Sequence, residues 1–230
     1  MKLYKFVAKE HLQSFFKAGS LRLGTIYSFK DTVEYGQSRG DEGEGRHSVS
    51  RTVVGDALHL DKPEPIVSEI FGREVMPNVY VKDMQFSVER RSPDAFIFCT
   101  SNLFSNHLFK RWQEEEGTDA CYEISDPVGF FDAISDRIAE SAKYIGNGDV
   151  VYIDGKVDYR SSAAITSPAL TKDRSRYGWQ FENRAIWSPR GPCGRLKPWI
   201  INVPDAVSCC NEFAVFEDDG IRRVNDTNNS

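Results

Sequence analysis

The acid at position 182 lies in the segment YGWQFENRAIW, with an amide two residues before it and a guanidinium two residues after it. If the segment is a strand, Gln180, Glu182 and Arg184 project from one face, because alternate side chains of a pleated strand share a face. A carboxylate beside a neutral amide can accept a hydrogen bond from a ribose hydroxyl. It can also stabilise the positive charge that develops when a glycosidic bond to a good leaving group breaks. The amide can orient an acceptor. The same spacing equally suits a structural ion pair between Glu182 and Arg184, of little energy on a half-exposed strand. A second group, Asp31, Glu34, Asp41, Glu42 and Glu44, clusters carboxylates of the kind that hold Mg²⁺, although a glycine-rich acidic run also reads as a solvated loop. A third, Cys99-Thr100-Ser101, puts hydroxyls at the end of an apolar run, where they can line a cleft or simply end the strand.

Other chemistries lack their residues. The chain has no phosphate-binding GxxxxGK[ST] loop, no GxGxxG, no HExxH and no GxSxG. His11, His47, His59 and His107 are scattered without a Cys or Ser partner and read as surface or packing residues. Five cysteines, an odd number at irregular spacing, make neither a zinc set nor a disulfide framework and point to a reducing cytosol. The net charge of −5 disfavours a protein whose affinity rests mainly on neutralising phosphates, and Arg90–Arg91, Arg174–Arg176 and Arg190–Arg195 read as solvated loops. Lys5, Lys9 and Glu10 interrupt the apolar run a signal peptide needs, and no window reaches the ~18 apolar residues of a membrane span.

Strands are expected at 3–7, 21–23, 79–81, 84–88, 95–99, 121–124, 181–187 and 198–203. A helix should follow the first strand, with Leu12, Phe15 and Phe16 on one face and Gly19 as its stop. A second helix is expected over 106–116. A third is capped by Asp126 with Pro127 at its first position and runs to Gly146-Asn147-Gly148. Residues 28–51 read as one long loop, which in a compact domain is usually functional. Asp154-Gly155 predicts a hairpin joining 150–153 to 156–159, and Asp218-Asp219-Gly220 predicts a last one. The mixture argues for an α+β fold of one domain, residues 1–224, with a disordered tail at 225–230.

LYKF at 3–6, GSLRLG at 19–24, SFKDTVE at 28–34, the segment 96–125 and WQFENRAIW at 179–187 together resemble a family of bacterial proteins that includes the abortive phage-resistance protein AbiGi. Lys30-Asp31 stands where that family usually has Asn-Asp. A strand carrying Tyr-Lys, then a helix, then Gly-x-Leu also resembles the opening of ADP-ribosyltransferase domains. That resemblance implies mixed, mostly antiparallel sheets with flanking helices and NAD as cofactor. Tyr4, Lys5 and Arg22 would contact the dinucleotide, Lys5 standing where a His or Arg is usual. Thr100 and Ser101 would shape the nicotinamide pocket, Glu182 would be catalytic, and Gln180 would place the acceptor. An insertion around 127–160 must be assumed. The activity implied is transfer of ADP-ribose to a protein or nucleic acid in a phage-defence or toxin–antitoxin system. The alternatives are a non-catalytic, antitoxin-like regulator that binds a defence partner on the same scaffold and a metal-dependent nuclease using the acidic loop.

Overall fold

The computed structural model describes residues 1–30, 41–55, 57–61, 64–72, 78–192, 194–218 and 220–224. Asp31, Glu34, Cys193, Asp219 and the expected tail at 225–230 lie outside them. The strands, in chain order, are β1 (Leu3–Val7), β2 (Ser20–Thr25), β3 (Arg46–Val53), β4 (Leu58–His59), β5 (Tyr80–Val81), β6 (Met84–Arg91), β7 (Phe96–Ser101) and β8 (Ala120–Ile124). They continue with β9 (Ala142–Asp149), β10 (Val151–Ile153), β11 (Val157–Asp158), β12 (Thr171–Asp173), β13 (Glu182–Pro189), β14 (Trp199–Asn202), β15 (Cys210–Glu217) and β16 (Gly220–Arg223). The helices are α1 (Lys9–Ala18), α2 (Pro65–Phe71), α3 (Asn106–Glu116), α4 (Pro127–Arg137) and the single turn α5 (Arg174–Tyr177). The fold is α+β, with antiparallel pairing throughout the large sheet.

That sheet runs β14-β2-β7-β1-β8-β15-β16, with β13 joining β7 to β9. Local chemistry sets its helices. Gly19 closes α1 at φ 67, its N–H donating to Phe15 O, which turns the chain straight into β2. Asp126 caps α4 through Gly129 N, with Pro127 at the first position. Phe15, Phe98, Tyr122, Phe130, Phe131 and Trp187 fill the core between α1, α4 and one sheet face, while Phe6, Phe109 and Ala214 belong to a second aromatic cluster. A smaller three-stranded sheet, β11-β3-β6, has its own apolar cluster around Val49, Ile66, Val67 and Phe86. No helix among the described residues is long and apolar enough to cross a membrane. Cys99, Cys121, Cys209 and Cys210 are free thiols.

Four expectations are corrected. The loop expected over 28–51 ends early: Arg46–Val53 is a strand because all eight residues pair with β6. The third helix stops at Arg137, and 142–149 is strand β9, held by the free edge of β13 and bulged between Ile186 and Trp187. Asp154-Gly155 turns the chain, but the flanking segments do not pair with each other. β10 runs parallel to β12 and β11 parallel to β3. Arg90 and Arg91 lie in β6 rather than in a loop.

His47 on β3 is a buried imidazole, its Nδ1 3.4 Å from Thr171 Oγ1. Burial first and the Arg90 charge second push its pKa below the usual 6.5, the Ala164 carbonyl pulling weakly the other way. A histidine depressed in the fold binds its proton more readily when unfolded, so its contribution is present above pH 6.5 and is lost as pH falls below that value. The expected result is a urea midpoint that drops between pH 7.5 and 5.5 and is flattened in His47→Phe. An unchanged slope in that variant contradicts the assignment.

Candidate functional site

The large sheet has a gap. On one edge β7 pairs with β13 along its whole length, from Phe96 to Ser101. On the other edge β2 pairs with Phe96 and Ile97 and β1 pairs with Ser101, leaving Phe98, Cys99 and Thr100 without a strand partner. Lys5 reaches into this gap. Its Nζ donates to Cys99 O at 2.6 Å and lies 4.6 Å from the Phe98 ring centroid. Gly24 on β2 allows Phe29 to close in, since a Cβ there would sit 2.5 Å from the ring. The result is a cavity of about 430 Å³ over the gap, within the range of small-molecule sites. Tyr4, Lys5, Arg22, Thr100, Ser101, Gln180 and Glu182 all line it.

Beneath the cavity is a compact charge cluster. Glu182 Oε1 accepts from Arg184 Nε at 2.7 Å and Oε2 from Lys172 Nζ at 2.8 Å. Lys172 Nζ also donates to the Gln180 amide oxygen at 3.0 Å, so the lysine ties the amide to the acid. Arg184 binds Glu44 through both terminal nitrogens, one of them at 2.9 Å, and donates to Ala169 O at 2.8 Å. With the second contact to Glu182, at 3.5 Å, the guanidinium has a partner for each of its five N–H groups. All four charged side chains are at most 6% exposed, and two acids cancel two bases. Burial works to raise the Glu182 pKa, but Arg184 and Lys172 outweigh it and hold the carboxyl well below the usual range. It is therefore an anion at neutral pH, suited to electrostatic stabilisation and not to donating a proton.

The backbone before Glu182 departs from the expected strand. Gln180 ends a 3₁₀ turn, Gly178–Gln180, and Phe181 sits at φ 47, ψ 47, a left-handed conformation unusual for a bulky residue. Gln180 and Glu182 nonetheless meet at the cavity through Lys172. Ser101 Oγ lies 3.0 Å from Gln180 O and 3.2 Å from Phe181 O, and Thr100 Oγ1 donates to Asn183 O at 3.2 Å. Both hydroxyls thus brace the Glu182 segment. Tyr4 borders the cavity on β1, but its ring packs on Phe104 and Phe213, at 5.7 and 5.1 Å, on the sheet face opposite Lys5. Burial pushes the Cys99 thiol up to about 12, which disfavours the thiolate form.

Two members of the cluster have roles the sequence does not suggest, Lys172 having no signal and Glu44 reading only as a metal-type or solvated carboxylate. Lys172 belongs to the short strand TKD, which carries no periodic or motif signal. Glu44 belongs to the acidic loop, whose described part is not uniformly solvated: Asp41 and Glu44 are buried and Glu42 is exposed. Among the described residues no group of three or more His, Cys, Asp or Glu side chains could hold a metal. The chain matches no family model, no curated protein and no solved structure.

Proposed function

We propose that this chain is an NAD-dependent ADP-ribosyltransferase on an ADP-ribosyltransferase-like scaffold, a cytoplasmic protein of a bacterial phage-defence or toxin–antitoxin system. One observation carries the reading. Seven residues from four separate stretches of sequence, selected for this chemistry, line one cavity at a break in the sheet. NAD, when bound, supplies a glycosidic bond with nicotinamide as leaving group. Lys5 and the exposed Arg22 bring positive charge to the cavity, which suits a pyrophosphate. The Glu182 carboxylate would accept a hydrogen bond from the ribose 2′-hydroxyl and would stabilise positive charge growing at the anomeric carbon. Lys172 holds Gln180 beside it, where the amide orients the acceptor. Release of nicotinamide by the wild type and its loss with the Glu182 carboxylate is the expected result. Equal release with and without that carboxylate ends the enzymatic reading.

One feature favours a second reading, a non-catalytic regulator on the same scaffold. Both Glu182 oxygens already have cationic partners, which blunts the negative potential the acid can offer. That reading expects NAD or a nucleotide to bind without being consumed. The nuclease alternative gains nothing from the described part of the acidic loop, because Glu44 is committed to Arg184.

A further inference from the structure

Two side chains in the wall of the cavity each bury a polar atom that has no hydrogen-bond partner among the described residues, Trp112 Nε1 and Thr118 Oγ1. Such a group has lost its hydration and gained nothing in exchange, and folded proteins hold few of them. Neither side chain is free to turn away. Trp112 lies on α3 with its ring packed on Trp179 and Phe6, at centroid distances of 4.8 and 5.9 Å. Thr118, 2% exposed, follows Gly117, whose left-handed φ of 65 ends α3 while its N–H donates to Gln113 O at 2.9 Å. The residue after it is pinned as well. Asp119 Oδ1 accepts from Lys9 N at 2.7 Å, and Asp119 O accepts from Phe216 N at 2.8 Å. The Thr118 hydroxyl is thus held in place from both sides.

The cavity draws its walls from both faces of the sheet. Phe15 and Tyr122 line it from the core on one face, and Phe6 and Trp112 line it from the aromatic cluster on the other. The chemistry of the two orphaned atoms narrows what fits beside them. An indole nitrogen can only donate, so its partner must carry an acceptor, whereas a hydroxyl can donate or accept. Neither group is charged, and Glu116, which lines the cavity two residues before Thr118, disfavours a phosphate or carboxylate there. Aromatic walls favour a flat π-bearing group. A neutral, flat group with an acceptor and a donor side by side on its edge describes a purine base, whose ring nitrogen neighbours an amino-bearing carbon.

We propose that Trp112 and Thr118 form a purine-recognition subsite, with Trp112 Nε1 donating to a ring nitrogen and Thr118 Oγ1 accepting from the neighbouring exocyclic amine. Equating that base with the adenine of NAD rests on the transferase reading, whereas binding of a free purine nucleoside does not. The test is calorimetric titration of the full chain with adenosine and with purine riboside, which lacks the amine, alongside melts of the unliganded proteins. The wild type should prefer adenosine roughly tenfold, the worth of one hydrogen bond. Thr118→Val, near in shape, should weaken adenosine by that same factor and leave purine riboside unchanged. Without ligand it should melt no lower than the wild type, because it removes an unpaired hydroxyl. Trp112→Phe keeps an aromatic ring and loses the donor, so it should weaken both nucleosides. Four results would each overturn the proposal: no adenosine binding by the folded wild type, equal adenosine affinity in Thr118→Val, equal loss of both nucleosides in that variant, or an early melt of it without ligand, the sign of a hydroxyl already bonded within the fold. Adenosine binding of the expected pattern without cleavage of NAD would sink only the transferase reading.

Discussion

Arg184→Met should destabilise the protein by about 3–5 kcal/mol, the loss seen when one partner is removed from a buried ion pair. Natural domains hold only ~5–15 kcal/mol in total, so the variant should melt far below the wild type or fail to fold. The side chain is 1% exposed and, among the described residues, is the one cation that touches both Glu44 and Glu182. Met fills much of the volume but leaves Glu44 without its guanidinium and Glu182 with Lys172 alone. Desolvated carboxylates without partners are the expensive part, more than the lost attraction. Glu44→Gln/Arg184→Met should therefore recover a substantial share of the loss in urea denaturation. A single variant as stable as the wild type would mean that the cluster is open to water and that the site is misdescribed.

The second large effect concerns chemistry, and the structure dictates how to measure it. Glu182→Gln alone is a poor probe, because it leaves Lys172 and Arg184 facing only Glu44. One buried positive charge would then be uncompensated, and loss of activity could be loss of fold. Glu182→Gln/Lys172→Met restores neutrality, with Glu44 and Arg184 still paired. This double variant should melt cooperatively and above the single variant. Nicotinamide release should fall by roughly 10²–10³-fold or more, as when a preorganised electrostatic group is removed from a transition state. Release at the wild-type rate by a folded double variant would show that the acid takes no part. The acid titration of the cluster is separable from that of His47. A carboxyl depressed in the fold stabilises above its unfolded pKa near 4.5 and loses that contribution only as pH falls below it, whereas the His47 window opens at 6.5.

Much of the site was legible in the sequence, and for a physical reason. The candidate residues lay on or beside well-marked strands: Lys5 within β1, Arg22 within β2, Ser101 at the end of β7, and Glu182 at the start of β13. Strands that flank a sheet opening bring such residues together by topology. The helix over 106–116 and the Asp126-capped start of α4 stood where expected because caps and apolar spacing are local. What failed was non-local. AKYIGNGD looks like the frayed end of a helix, yet it is a strand, because the β13 edge offers it hydrogen-bond partners that local propensity cannot foresee. GDEGEG looks solvated until a guanidinium 140 residues further along draws Glu44 inside. Lys172 carried no signal at all, since an ion-pair partner leaves no pattern in the surrounding residues.

The most direct test of the central claim, that the gap beside β7 is a dinucleotide site, is a thermal denaturation of the whole chain with and without NAD. Ligand at 100 times its dissociation constant should stabilise the fold by ~2.7 kcal/mol. That gain should shrink in Arg22→Glu, an exposed position at the cavity, with the melt of the unliganded variant as its own reference. A melt that does not move at any NAD concentration, in a protein that is folded at the outset, would contradict the account.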